Sequence, residues 1–390
     1  MNKDQACTRI HLNNAGASIP TARVLDSVMH HLLREVEIGG YEAAVENSQL
    51  TQSFYANAAK LINCAPEEIA FTDSATRAWN TFLYSIPFKA GDKIITTDLE
   101  FGSNVVSLQH ITELHDLELV VVDTSSGSSS VSQKISALLD DRVKLIAVTH
   151  VPAHCGSVQD VQAIGEVAKG HSCLYMIDAC QSVGQMNLDV KAFHCDALVA
   201  TGRKWLRGPR GTGFLFVANN VAPQLDTVAV DLANTDWVYD ARPGASRLEI
   251  SKTAKRFEIW ERNIAGQIGL ATAIQHFLEL DQSAAFSHVS KLREEIVSTV
   301  KNITQLDLYP ETNPQSGTVT FSSDTVDLDK LKQKLMEKNI NVSVMHDWDA
   351  PWDYSKKQLK ALMRVSPHYF NTIEEIRAFS QALPEAVAGL

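Results

Sequence analysis

Short apolar runs alternate with amphipathic stretches between about residues 60 and 220. The apolar runs predict strands at 68–72, 93–97, 117–123, 144–149, 172–177, 197–201 and 213–217. Two runs, 145–148 and 197–200, are continuously apolar, which is typical of strands covered on both faces. The amphipathic stretches predict helices such as 75–85, 132–139 and 161–169. Since alternating strands and helices form right-handed βαβ units, we predict an α/β domain with a mostly parallel, doubly wound sheet.

The pattern changes after about residue 270, and the remainder predicts a smaller α+β domain. One long helix is predicted at 275–303, and it is followed by predicted strands and helices at 306–309, 317–321, 328–338, 342–345, 363–366 and 372–383. Two further helices, 21–33 and 51–62, precede the first strand, and the serine-rich stretch 123–133 predicts a surface turn. We therefore expect a large domain over 21–270 and a small C-terminal domain over 271–390.

Composition and charge narrow the class of protein. The 390 residues are 45% hydrophobic and 21% charged, which is typical of a globular protein and excludes wholesale disorder, collagen and coiled coil. A net charge of −11 disfavours nucleic acid and anionic membranes as partners, because phosphate contacts need clustered Lys and Arg. No apolar run approaches the length of a membrane span, and the first residues lack a signal-peptide core. We expect a cytoplasmic protein without a metal site, whose six scattered cysteines are reduced and mostly buried.

An acid and an amine follow two of the predicted strands. Asp178 ends one apolar run and Lys204 lies just beyond another. Ligands of open α/β sheets gather beyond the carboxyl ends of the strands, so both side chains are expected to face one crevice. Pyridoxal phosphate needs such a pair, a lysine for the Schiff base and a carboxylate that keeps the pyridine nitrogen protonated. An ordinary ion pair, or two unrelated surface charges, explains these two residues equally simply.

A second candidate feature is the stretch TDSATRA at 72–78, which follows a strand and opens a helix. Small and hydroxyl residues there leave backbone amides free to cradle a phosphate. The alternative is a simple N-cap, which Asp73 or Ser74 would supply alone.

Four blocks, in order, make the chain resemble the class V aminotransferase group of fold-type-I pyridoxal-phosphate enzymes, which includes the cysteine desulfurases. The blocks are HLNNAGAS at 11–18, SAT at 74–76, DACQ at 178–181 and TGRK at 201–204. The resemblance continues through 208–213 and 363–369. It implies a seven-stranded large domain, pyridoxal 5'-phosphate as cofactor, a small amino-acid substrate and a homodimer with sites at the interface. It also makes 1–20 an N-terminal segment of the substrate site.

The resemblance implies a role for each matching residue. Lys204 resembles the Schiff-base lysine, and Asp178 resembles the partner of the pyridine nitrogen. The other implied cofactor contacts are Ala75, Thr76, Thr201 and Arg203 on the phosphate, Gln181 on the phenolic oxygen or the aldimine, and Phe101 on the ring face. In the family, Ser and His usually occupy positions 201 and 203, and His usually occupies position 101 in desulfurases. A buried apolar residue is the alternative for Phe101.

Substrate and subunit contacts also follow from the resemblance. Arg364 resembles the arginine that clamps the α-carboxylate, although an ordinary surface arginine is the alternative, and Asn14 lies in the loop that helps to seat it. Ala153 occupies the usual place of an Asn on the phenolic oxygen; His154 compensates, faces the substrate or is structural. A neighbouring-subunit Thr on the phosphate falls near Glu261, so Arg262 or Asn263 is the better candidate, because a carboxylate repels phosphate.

The predicted reaction follows from a missing cysteine. Desulfurases carry a nucleophilic cysteine on a loop before the final arginine, and 341–364 contains none. Unless Cys155 substitutes, persulfide chemistry lacks its acceptor. The stretches 203–213 and 256–266 are most similar to the sulfoxide-lyase and isopenicillin N epimerase-like branch, including thiohistidine (ergothioneine-type) lyases. We therefore expect a C–S lyase that β-eliminates a cysteine-derived conjugate or sulfoxide to a thiol or sulfenate, pyruvate and ammonia. A class V aminotransferase, an amino-acid epimerase and a non-catalytic cofactor binder are the alternatives.

Overall fold

The computed structural model describes residues 9–125, 128–239, 246–310 and 316–390. Its strands are β1 (Ile10–His11), β2 (Ile69–Thr72), β3 (Lys93–Thr97), β4 (Glu118–Val122), β5 (Val143–Thr149), β6 (Leu174–Asp178), β7 (Ala197–Thr201), β8 (Gly213–Val217), β9 (Thr235–Val238), β10 (Arg247–Ile250), β11 (Asp307–Tyr309), β12 (Val319–Ser322), β13 (Ile340–Asn341), β14 (Ser343–Met345) and β15 (Leu362–Val365). Its helices are α1 (Ala22–Ile38), α2 (Gly40–Glu46), α3 (Ser48–Ile62), α4 (Ala75–Leu83), α5 (Gly102–His115), α6 (Ser128–Leu138), α7 (Val161–Ala168), α8 (Ile264–Glu279), α9 (Gln282–Lys301), α10 (Leu328–Glu337), α11 (Pro351–Lys357) and α12 (Ile373–Ala388).

The large sheet has seven strands in the order β2-β8-β7-β6-β5-β3-β4, and β8 is antiparallel to both of its neighbours while the other pairs are parallel. Apolar side chains of α3, α6, α7 and α8 cover one face. Side chains of α4 and α5 cover the other. Every residue of β7 is buried, as its continuously apolar sequence requires. The predicted mostly parallel seven-stranded sheet is confirmed.

A smaller antiparallel sheet, in the order β11-β12-β15-β14, lies in the C-terminal part of the chain. Helices α9, α10 and α12 share a separate hydrophobic core with it. The N-terminal segment joins this layer, because β1 pairs in parallel with β13 and Leu12 is buried in the same core. Helix α8 crosses the expected boundary at residue 270 and packs against the large sheet. The exact division into 1–20, 21–270 and 271–390 stays a prediction.

Two predicted elements were wrong in detail. The stretch 275–303 is two helices, because the backbone leaves the helix at Leu280 and Asp281 caps α9 by accepting a hydrogen bond from the amide of Ala284 at 3.0 Å. The stretch 123–133 is not a turn throughout, since α6 already begins at Ser128; residues 126 and 127 lie outside the described part. Across the described residues, no helix combines the length and apolar character that a membrane span requires.

Gly165 is expected to be essential for packing α7 against the chain that leads into β7. A Cβ atom at this position would overlap the carbonyl oxygen of Phe193, a backbone atom that cannot rotate away. We expect Gly165→Ala to lower the free energy of unfolding by about 1–3 kcal/mol, because overpacking outweighs the gain in helix propensity. Urea unfolding measures this.

Gly170→Ala is the matched control, because the nearest atom to a Cβ there, the carbonyl oxygen of Val167, is 3.9 Å away. We expect that variant to stay within about 0.5 kcal/mol of the parent protein. Equal midpoints for the two variants would contradict the packing argument.

Candidate active site

A cavity of about 250 Å³ lies at the carboxyl edge of the large sheet, beyond the ends of β5, β6 and β7. We call it the sheet-edge cavity. Open α/β sheets bind ligands at this edge. Eight predicted site residues line it: Ala75, Thr76, Phe101, Asp178, Gln181, Thr201, Arg203 and Lys204. The structure therefore brings together one acid, one amine and the helix-opening turn that are far apart in the sequence.

One end of the cavity is rich in donors and positive charge. Ser74 caps α4 by accepting a hydrogen bond from the amide of Arg77 at 3.1 Å, so the N-cap alternative is also correct. The first amides of a helix have no partner within that helix, and Ala75 and Thr76, which begin α4, line the cavity. Arg203 lines the same cavity, and so does Arg210, which the sequence analysis missed. These groups fit a phosphate.

Asp178 is buried and its carboxylate accepts two hydrogen bonds. The Asn104 amide donates to Oδ2 at 3.0 Å, and the Cys180 amide donates to Oδ1 at 2.8 Å. Both bonds hold the carboxylate in one orientation. Asn104, in the first turn of α5, also lines the cavity and was not predicted as a site residue.

Lys204 lies just beyond the end of β7, after Gly202 and Arg203, and lines the cavity. Burial lowers the pKa of its amine, and the guanidinium groups of Arg203 and Arg364 lower it further, against the opposing effect of Cys180 and Asp178. A lowered pKa favours the neutral amine, which is the form that acts as a nucleophile or a base. The chemistry predicted for Lys204 is therefore supported by its surroundings.

The N-terminal loop is held against this site by two side chains. Gln181 donates to the carbonyl oxygen of Ala15 at 2.9 Å and accepts from the indole of Trp205 at 2.8 Å. Arg203 donates to the carbonyl oxygen of Gly16 at 2.9 Å. Both side chains thus line the cavity and anchor the loop at once.

Arg364 on β15 is buried and approaches the site from the small sheet. It donates to the Ala153 carbonyl at 3.1 Å and to the side chain of Asn13 at 3.3 Å. Its Nε is buried and has no hydrogen-bond partner among the described residues. Burial lowers the pKa of this guanidinium to about 10. A buried N–H donor without a partner fits an anionic ligand such as a carboxylate.

Four predicted residues, Arg364 and three others, are not among the residues that line the cavity. The Asn14 amide is used within its own loop and by the Ser366 carbonyl at 2.8 Å, so Asn13 rather than Asn14 contacts Arg364. Asn263 caps α8, accepting from the Gly266 amide at 2.7 Å, and borders a separate cavity of about 360 Å³. His154 is buried and bonded to Asp353 at 2.9 Å.

His154 is engaged by buried charged neighbours rather than by the cavity lining. Burial lowers its pKa, but Cys155 and Asp353 outweigh this effect and raise it to about 9. Asp353 belongs to α11, so a buried ion pair links the loop after β5 to the small sheet's layer. On the same helix, Lys356 pairs with Asp98 at 2.8 Å. The segment 346–357 is therefore tied to the large domain on two sides.

No exposed cysteine replaces the missing loop nucleophile in the described residues. Cys155 is buried and does not line the cavity. Cys180 does line it, which the sequence analysis did not predict. However, burial and the neighbouring Asp178 raise the pKa of this thiol well above its usual value, which disfavours the thiolate.

The sequence is similar to one protein family and to several named relatives. A profile of the aminotransferase class-V family matches residues 10–379. A probable cysteine desulfurase of Methanothermobacter thermautotrophicus is 26% identical over 382 residues, covering 95% of this chain and 92% of the relative. A probable hercynylcysteine sulfoxide lyase of Mycobacterium tuberculosis is 24% identical over 384 residues, covering 97% of this chain and 90% of the relative.

The apo structure of a cysteine desulfurase from Thermococcus onnurineus NA1 superposes with a TM-score of 0.88 at 24% identity, covering 98% of this chain and 95% of that one. That likeness shows the fold. The family profile spans nearly the whole chain, and the sheet-edge cavity is lined by a lysine, an aspartate and the first residues of a helix. The chain therefore belongs to the class-V aminotransferase family of pyridoxal-phosphate-dependent enzymes.

Proposed function

We propose that this enzyme is a C–S lyase acting on a cysteine-derived conjugate or sulfoxide. The lack of a reactive cysteine at the site carries the proposal. No residue of 341–364 is a cysteine, and Cys180, the cavity-lining cysteine among the described residues, has a thiol whose pKa is raised by burial. Because none of the described residues that line the cavity offers a thiolate to accept sulfur, we expect the sulfur to leave with its own substituent. One relative is named a probable hercynylcysteine sulfoxide lyase, which supports a sulfoxide as the substrate.

The residues of the cavity divide the task of binding. The amides of Ala75 and Thr76, with the guanidinium of Arg203, would hold the cofactor phosphate. Asp178 would hold the proton on the ring nitrogen. Arg364, with its unpaired Nε, would bind the substrate carboxylate. When bound, pyridoxal phosphate supplies an electron sink for the carbanion formed at the substrate Cα.

Lys204 then carries the proton transfer. Its neutral amine takes the Cα proton, the Cβ–S bond breaks, and the electron pair leaves on sulfur as a thiolate or sulfenate. The 2-aminoacrylate that remains reacts with water to give pyruvate and ammonia. None of the described residues lining the cavity is a histidine, so no imidazole is placed there to protonate the leaving sulfur. This favours a substrate whose sulfur leaves readily as an anion.

The runner-up is a class V aminotransferase or an amino-acid epimerase. Both use the same first proton transfer and differ in where the proton returns. The family name favours the aminotransferase, while the names of the relatives favour sulfur chemistry.

Pyruvate release tests the proposal. Purified enzyme loaded with pyridoxal phosphate is offered cysteine, cystine, a cysteine sulfoxide conjugate and a thiohistidine-type sulfoxide, and pyruvate and the sulfur product are measured. We expect pyruvate with a sulfoxide or conjugate. Alanine with enzyme-bound persulfide would show a desulfurase, and amino transfer or Cα-proton exchange without pyruvate would show the runner-up.

We also propose a homodimer. The helices α1 and α2 expose a run of large apolar side chains, including Val36, Tyr41 and Val45, which are 85%, 73% and 74% exposed. Exposed patches of this kind mark interaction surfaces. In a dimer, Arg262 or Asn263 of one protomer would approach the partner's phosphate. Light scattering is expected to give twice the chain's mass, and the double variant Val36→Lys with Val45→Lys is expected to have the mass of a single chain.

A cytoplasmic location stays a prediction that cell fractionation tests.

A further inference from the structure

A second carboxyl group, that of Glu100, is completely buried next to the sheet-edge cavity. It lies between β3 and α5, one residue before Phe101. The backbone amide of Thr149 donates to it at 2.7 Å, and the hydroxyl of the same residue donates at 2.6 Å. Thr97 adds a longer bond at 3.3 Å. Glu100 therefore links the carboxyl ends of β3 and β5 through hydrogen bonds.

The side chain of Asn104 connects this carboxyl to the site. Its Nδ2 lies 3.4 Å from Oε2 of Glu100 and 3.0 Å from Oδ2 of Asp178. An amide nitrogen has two hydrogens, so it can donate one to each carboxyl. Asn104 is 3% exposed, and no water is needed to explain its orientation. The direction of the Asp178 carboxylate therefore depends on a side chain that Glu100 holds.

We infer that Glu100 is a positioning residue, which holds the Asn104 amide and thereby fixes the Asp178 carboxylate for the cofactor ring. The inference rests on the cofactor role of Asp178 and not on which reaction follows. It adds a residue to the site that touches neither cofactor nor substrate.

A purely structural link would not require a carboxyl group here. Gln159 already connects the same two strands, donating to the Thr149 carbonyl at 2.6 Å and to the Thr97 hydroxyl at 3.3 Å. Burial raises the pKa of Glu100 to about 7, and the charge of Asp178 adds to this rise, while the Thr149 donors lower it. Burying a second acid beside Asp178 costs free energy of folding unless hydrogen-bond donors satisfy its oxygens. An ionised carboxyl group carries no donor and accepts from Thr149 and Asn104 together, whereas a glutamine side chain has an NH₂ donor.

Glu100→Gln tests this with Gln159→Ala as the matched control. The NH₂ group of glutamine would face a donor of either Thr149 or Asn104. Since the Thr149 amide is fixed in β5, we expect the hydrogen bond with the Asn104 side chain to be lost. We expect kcat to fall about tenfold or more, as for outer partners of metal ligands, with KM nearly unchanged. The visible absorption of the bound cofactor, recorded without substrate, is expected to shift. Gln159→Ala breaks the same strand link, so we expect a lower unfolding temperature but unchanged absorption and kcat.

Asn104→Ala keeps the test decisive if Glu100→Gln fails to fold. It removes the bridge directly, and the same absorption shift is expected. The double variant is expected to be no worse than the poorer single one, because both act through one contact. Additive losses, or equal effects from Glu100→Gln and Gln159→Ala, would overturn the inference. A wrong lyase assignment would leave the absorption result unchanged, so the two failures are distinguishable.

Discussion

Lys204→Ala is expected to reduce turnover at least about 10⁴-fold, which is the usual cost of removing the group that transfers the proton. Among the described residues that line the sheet-edge cavity, Lys204 is the lone primary amine. Arg203 and Arg210 border the same space, but a guanidinium stays protonated and cannot take a proton from carbon. No neighbour is therefore able to replace it. Product formation and the visible absorption of dialysed, cofactor-loaded protein measure the effect.

The same variant is expected to lose the cofactor's visible absorption after dialysis, because the proposed role of Lys204 is to hold the cofactor through its amine. Lys330→Ala is a suitable control, since Lys330 is an exposed lysine on α10. A Lys204→Ala protein that kept both absorption and turnover would show that the site lies elsewhere.

Asp178→Asn is expected to lower kcat about 10²–10³-fold while the cofactor stays bound. Asparagine preserves the shape of the side chain but removes the charge that holds the ring proton. It also places an amide donor against either Asn104 or the Cys180 amide, both of which donate to Asp178. The visible absorption is therefore expected to shift rather than disappear, and this separates Asp178→Asn from Lys204→Ala. Steady-state kinetics and an absorption spectrum give both quantities.

Asp281→Asn serves as the control for the change from Asp to Asn. Asp281 caps α9 far from the cavity lining, and asparagine is an equally good capping residue. We expect unchanged kcat for this control. Loss of cofactor absorption in Asp178→Asn would contradict the assigned role of that carboxylate.

The large sheet could be predicted because its strands carry a simple signal. Strands β5 and β7 are buried on both faces, so nearly every position is apolar and the runs stand out. The hairpin β9–β10 gave no such signal, since its residues are largely exposed and contain no continuous apolar run. Helix α5 was also missed. Its buried positions include the polar residue Asn104, which lines the cavity, so its buried side does not read as an apolar stripe.

The candidate site was predictable where a motif fixes a residue at the end of a strand. Asp178 and Lys204 follow apolar runs, so the sheet itself places them. Asn13 and Asn14 are neighbours in one loop, so the sequence does not show which of them contacts Arg364. In the structure the backbone of Asn13 pairs with Ser366, and the Asn13 side chain accepts a hydrogen bond from Arg364. Glu100 could not be assigned from the sequence, because its hydrogen-bond partners come from two separate strands, β3 and β5, and from helix α5.

The pairing of β1 with β13 sets a rule for dividing this protein into fragments. A polypeptide that begins at residue 271 would have an open edge along Ile340–Asn341 and an empty place for Leu12. A synthetic peptide covering residues 9–20, added in trans, would supply both. Complementation by that peptide, rather than expression of the C-terminal part alone, is therefore the route to an isolated small domain.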